Sequence, residues 1–182
     1  MKKVFVFAAI ALLAACDSKK NEKNEPAKTG GEQTASTIKS PYEIRYSSQF
    51  VMDEPKNAET LLTLWKDWDN GNLSAHKEMF ADSVEMHFSD GSMMHASRDS
   101  VLAGGQAYRN SFANSVDKVD AIMAVKSTDK KENWALVWGL ETNTDKSGKV
   151  DSSYLQETWR FNKDGKADLM YQFRAAGAPP KH

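Results

Sequence analysis

NAETLLTLWKDWDNGNLSAHKEMFADSVEMHFSDG, residues 57–91, reads as a helix, a tight stop, a second short helix and a strand ending in a turn. Asp53 is placed to cap the first helix, with Glu54 and Pro55 in its first turn, where a missing N–H costs nothing. Ala58, Leu61, Leu62, Trp65 and Trp68 then recur at the spacing of one buried helical face. Asn70-Gly71 tolerates the left-handed conformation, so the helix should stop there. Asn72 or Ser74 can cap a second short helix carrying Leu73, His76, Met79 and Phe80. From Val84 to Ser89 the pattern alternates with period two, as in a half-buried strand.

Working outward, Asp90-Gly91 between alternating runs predicts a hairpin. A two-residue turn would put Ser89 opposite Ser92, His87 opposite Met94 and Met86 opposite His95. His87 and His95 would then face opposite sides and could not share a metal ion. In that register His95 lies on the apolar face, either as a hydrogen-bonded core histidine or as a pocket residue. Ser97 can cap a third helix with Val101, Gly105, Tyr108 and Phe112 on its stripe and Val116 continuing the spacing as the helix gives way to strand. Gly104-Gly105 weakens that helix by about 1 kcal/mol per glycine, so a close packing contact or a ligand is expected there.

Long strands follow at 119–127, 133–142, 151–161 and 167–174, separated by polar turns. In the second of these, Trp134, Leu136, Trp138 and Leu140 alternate with Ala135, Val137, Gly139 and Glu141. Both sides are largely apolar, so the strand should be covered on both faces. Before the first helix, Tyr42, Ile44 and Tyr46 alternate as in an edge strand or a laid-on arm. The expected architecture is α+β, a curved antiparallel sheet with about three helices on its concave face and a cavity at the open end.

LWKDWDNGNLSAHKEMFADSVEMHFSDG, together with the later QETWRFNKDGKADLMYQF, resembles the opening helices and closing hairpin of the nuclear transport factor 2-like (NTF2-like) superfamily. The resemblance is to its SnoaL-like, polyketide-cyclase-like branch and spans residues 57–173. It implies a cone-shaped fold, a cavity for a small apolar ligand, and a homodimer formed through the outer sheet face. It also implies an acid/base side chain in the cavity, with aromatic or histidine side chains orienting substrate. Here Tyr108, Trp138, Tyr171 and His95 stand for such parts, and Trp138 and Trp159 for cavity lining. The motifs shared are those of shape, and a family-like Asp/His pair is not identifiable.

With 24 basic and 25 acidic residues, the chain has no electrostatic case for binding nucleic acid. Residues 1–16 read as a targeting segment: Lys2-Lys3, then an apolar run from Val4 to Leu12 too short to span a bilayer. Leu13-Ala14-Ala15-Cys16 resembles a bacterial lipobox, which would make Cys16 the lipidation site and the product a membrane-anchored protein of the cell envelope; the alternative is an ordinary signal peptide with an incidental cysteine. Cys16 is the sole cysteine, so no internal disulfide can form. Residues 17–40 are polar and read as a flexible linker, 41–176 as the domain and 177–182 as a frayed tail.

Glu157 shares a strand face with Leu155, Trp159 and Phe161, so it is expected in apolar surroundings that would raise its pKa and suit it to general acid/base work. The alternative is a cross-strand ion pair or an outward direction. Two functions follow. The favoured one is a non-catalytic tethered module binding a small apolar or aromatic ligand or a protein partner. The other is an acid/base enzyme of the isomerase, dehydratase or cyclase type, with Glu157 and His95 as catalytic groups. Neither calls for a metal or a cofactor.

Overall fold

The computed structural model describes residues 38–176, all within a unit spanning residues 33–182. Cys16, the targeting segment, most of the linker and residues 177–182 therefore lie outside the described residues.

Helix α1 (Lys56–Asn70) forms where the periodicity predicts it. Its N-cap is Pro55 rather than Asp53, because the Asp53 N–H bonds the Ala124 carbonyl at 2.9 Å and ties the entering chain to the sheet. The helix ends at Gly71, whose φ of +66° lets the N–H groups of Gly71 and Asn72 fold back onto the Trp68 and Asp67 carbonyls. Ala58, Leu61, Leu64 and Trp65 are buried along it, while Trp68 is only half-buried.

The second expected helix is reduced to one 3₁₀ turn, Lys77–Met79. Polar groups that a helix would use are taken by side chains from elsewhere. Gln106 bonds the Leu73 N–H and the Gly71 carbonyl at 3.0 Å each, and the His76 ring sits 3.0 Å from the Asp67 carboxylate. Among the described residues there are thus two α-helices, not about three.

Strand β1 (Phe50–Met52) is short, as an edge strand should be. It is followed after α1 by β2 (Phe80–His87), β3 (Met93–Ser97), helix α2 (Arg98–Arg109), β4 (Phe112–Ser127), β5 (Asn133–Asp145), β6 (Val150–Phe161) and β7 (Ala167–Ala176). They form one curved seven-stranded sheet in the order β1-β4-β5-β6-β7-β2-β3. Neighbours are antiparallel except β2 and β7, which run parallel, so the sheet is mixed rather than wholly antiparallel. Helix α2 has its expected cap, with Ser97 Oγ accepting the Ser100 N–H at 3.3 Å. It stops at Arg109, and β4 begins at Phe112, so Phe112 belongs to the strand and not to the helical stripe.

The β2–β3 hairpin differs from expectation by one residue. Phe88 and Ser92 close a three-residue loop with Gly91 at φ +83°, the glycine-bulge form of turn. The partners become His87 with Met93, Met86 with Met94 and Glu85 with His95. Since a one-residue slip exchanges faces, Met94 and Ala96 turn inward to the core. His87 and His95 share the outer face with Glu85.

Gly139 of β5 explains how closely α1 lies on the sheet. A Cβ there would stand 2.6 Å from the Lys118 carbonyl oxygen and 2.9 Å from the Trp65 ring. The oxygen is backbone, beside an irregularity in β4 between Val119 and Ala121, and has little room to shift. Gly139→Ala should cost about 2–3 kcal/mol through overpacking, measured as a lower urea midpoint at unchanged slope. An unchanged midpoint would mean the contact relaxes freely.

Candidate functional site

A cavity of about 550 Å³ opens between the helices and the inner sheet face, within the range of small-molecule sites. Phe80, Met86, Met94, Val101, Leu102 and Met170 form its apolar body. Its polar end is built by four adjacent strands, β4 supplying Asp117, β5 Glu141, β6 Glu157, and β7 Gln172 and Arg174. The register brings them together, since Asp117 pairs with Glu141 and Glu157 with Gln172.

Glu157 is 5% exposed and held by three N–H donors. Trp65 Nε1 and Trp159 Nε1 donate to Oε2 at 2.7 and 2.8 Å, and Gln172 Nε2 donates to Oε1 at 2.8 Å. The surroundings are thus indole and amide donors, neither the bare apolar wall nor the cross-strand ion pair weighed from sequence. The spacing explains part of this, because Trp159 lies two residues along the same strand face. Trp65 arrives from α1 across the bare backbone of Gly139.

Glu141 is buried and accepts from Arg174 Nη2 at 2.8 Å and from the Asn143 amide. Arg174 also donates to Ser153 Oγ at 3.3 Å. Asp117 differs from both. Its backbone N–H donates to Asp69 Oδ1 at 2.9 Å, but its own buried Oδ1 has no hydrogen-bond partner. Burial, and then the negative charges of Glu141, Asp69 and Glu157, push its carboxyl from 3.8 up to about 8, with Arg174 offsetting part of the rise. At neutral pH it is therefore mainly a carboxylic acid, able to donate a hydrogen bond. Among the described residues, no group of three or more His, Cys, Asp or Glu is placed to hold a metal ion.

Of the residues singled out by sequence, Glu157, Trp159 and Tyr108 line the cavity. Tyr108 is 54% exposed and packs between Trp68 and Phe112, at centroid distances of 5.9 and 5.2 Å. The structure does not bring the other three to the cavity. His95 is exposed on the outer face, its Nε2 3.0 Å from Ser83 Oγ, because the three-residue loop turned it away from the core. Trp138 lies on the outer face because Val137 and Gly139 take the inner positions of β5. Tyr171 also faces outward, stacked on His87 at 4.7 Å, since its neighbours Met170 and Gln172 point into the cavity.

Asp117 was missed. Its signal was an acidic residue on a strand, but the helical spacing carried through to Val116 concealed where that strand starts. The two helix glycines separate in role. A Cβ at Gly105 would meet Leu73 Cδ2 at 2.8 Å, whereas one at Gly104 would meet only Met94 Cε, at 4.0 Å. The tight contact is therefore with the segment after α1 and not with the sheet.

No protein-family model matches the chain, and no curated protein matches it. Solved structures do. The epoxide hydrolase/cyclase-like enzyme SalBIII, of pyran ring formation in the polyether salinomycin, is 18% identical with a TM-score of 0.54, covering 68% of this chain and 93% of its own. IdmH from Streptomyces antibioticus, a candidate polyketide cyclase, is 14% identical with a TM-score of 0.52, covering 65% and 91%. An NTF2-like protein of unknown function from Exiguobacterium sp. 255-15 is 13% identical with a TM-score of 0.53, covering 64% and 98%. At these identities the likeness is one of fold: the described domain has the NTF2-like α+β fold.

Proposed function

We propose that the domain is an acid/base enzyme acting on a small, largely apolar substrate in this cavity, with Asp117 as the general acid. The observation that carries the reading is the Asp117 carboxyl, which lines an apolar cavity with one buried oxygen unpartnered. A group protonated near neutrality is matched to general acid catalysis at that pH. It would protonate a substrate carbonyl or ether oxygen, while Glu157, fixed by Trp65, Trp159 and Gln172, accepts a proton from carbon or water. The polyketide-cyclase and epoxide-hydrolase names among the structural neighbours favour this class of chemistry. Membrane tethering through lipidated Cys16, and a second copy covering the outer sheet face where Phe173 is 58% exposed, belong to the same proposal.

The test is deuterium exchange at the α-carbon of 2-tetralone in D₂O, followed by NMR with the purified full chain. Asp117 would protonate the ketone oxygen as Glu157 removes the α-proton; once the proton on Glu157 has exchanged with D₂O, Glu157 returns a deuteron to the α-carbon as the enol O–H proton goes back to Asp117. Exchange should exceed the buffer rate, fall above pH 8 as Asp117 ionises, and drop about 100-fold or more in Asp117→Asn. Binding of 2-tetralone without exchange above buffer would instead support the second reading, a non-catalytic binding module, which the mainly apolar wall favours.

A further inference from the structure

The ionisable residues lining the cavity are unbalanced. Asp90, Asp117, Glu141 and Glu157 are acidic, and among the described residues Arg174 is the single base. Arg174 is committed to Glu141 at 2.8 Å. The three donors to Glu157 are neutral indole and amide groups, so they satisfy its oxygens without cancelling its charge. Asp90 stands at the exposed hairpin loop, its carboxyl held below the usual range by the Ser92 hydroxyl and N–H. Asp117 has an oxygen with no partner at all. The chain as a whole carries a formal charge of only −1, so this is a local excess and not a reflection of composition.

Such an arrangement acts on a ligand in two ways. Low-dielectric walls carrying one sign of charge focus the field into the cleft and concentrate ligands of the opposite sign. An anion entering would lose its hydration beside the Glu141 and Glu157 carboxylates, which cannot pair with it. The remaining wall includes Trp65, Trp68, Trp159 and Tyr108, whose ring faces favour cations and whose area favours apolar rings.

We propose that the cavity selects a ligand bearing a protonated amine on an apolar, ring-containing body and rejects carboxylates. This rests on the reading that a small molecule occupies the cavity, and it names that molecule's chemical class.

Three compounds of one skeleton test it: 2-aminotetralin, tetralin and 1,2,3,4-tetrahydro-2-naphthoate, titrated calorimetrically into the purified full chain. The amine should bind at least about tenfold tighter than the carboxylate, with tetralin between them. The ratio should widen between pH 6 and pH 8.5 as Asp117 ionises while the amine remains protonated, and Asp117→Asn should remove the widening. Tetralin binding with the carboxylate equal to or tighter than the amine would overturn charge selection and leave the small-molecule reading standing. No binding by any of the three would overturn both.

Discussion

Asp117→Asn should stabilise the folded protein by roughly 3–5 kcal/mol at pH 8.5 and by no more than about 2 kcal/mol at pH 5. The carboxyl is raised from 3.8 to about 8 by burial and by Glu141, Asp69 and Glu157. Between those values the folded state holds a proton that the unfolded chain has released. Unfolding then liberates that proton, so stability falls as pH rises through this window and levels off above the folded pKa. Asparagine has the same shape and no charge to desolvate, so its unfolding free energy lacks this slope. Urea denaturation of both proteins at pH 5 and 8.5 reads the difference directly. A wild type equally stable at both pH values, or a variant weaker at pH 8.5, would contradict it. A side chain whose removal strengthens the fold has its reason in function, as expected of a site that sacrifices stability.

Glu157→Leu should act in the opposite direction, with a loss of about 3–5 kcal/mol that is large against a typical domain stability. The variant strands Trp65 Nε1, Trp159 Nε1 and Gln172 Nε2, which now bond its carboxylate at 2.7–2.8 Å. Each buried donor left without an acceptor costs its desolvation, and leucine offers none. Glu157→Gln keeps one acceptor oxygen but turns an amide N–H₂ toward existing donors, so its loss should be smaller but still measurable. Urea denaturation of the variant and wild type measures the loss. If Glu157→Leu were as stable as wild type, the carboxylate would not be the anchor between α1 and β6.

These two acids show what could be read from the chain and what could not. Glu157 was legible because its strand alternates plainly with Leu155, Trp159 and Phe161, and all four share the inner or buried side. What it bonds was not, since Trp65 reaches it only across Gly139 and Gln172 only through the β6–β7 register. Asp117 depends on pairing with Glu141 along a strand that carries irregularities, a tertiary fact with no local signature. The helix stop at Asn70-Gly71 was readable because left-handed backbone favours those residue types. The Asp90-Gly91 turn was readable as a turn, yet its length was not, and a single added loop residue moved His95 to the outer face. In β5 both faces are apolar, so hydrophobicity alone left Trp138's direction open, and the space needed by Trp65 over Gly139 decided it.

The most direct test of the account is the titration of Asp117 itself, by NMR of protein labelled with ¹³C at the aspartate carboxyl, the resonance being assigned by its loss in Asp117→Asn. The carboxyl should be protonated at pH 7 and titrate with a midpoint of about 8. A midpoint in the ordinary aspartate range near 4 would remove the general acid from the cavity and contradict the central claim.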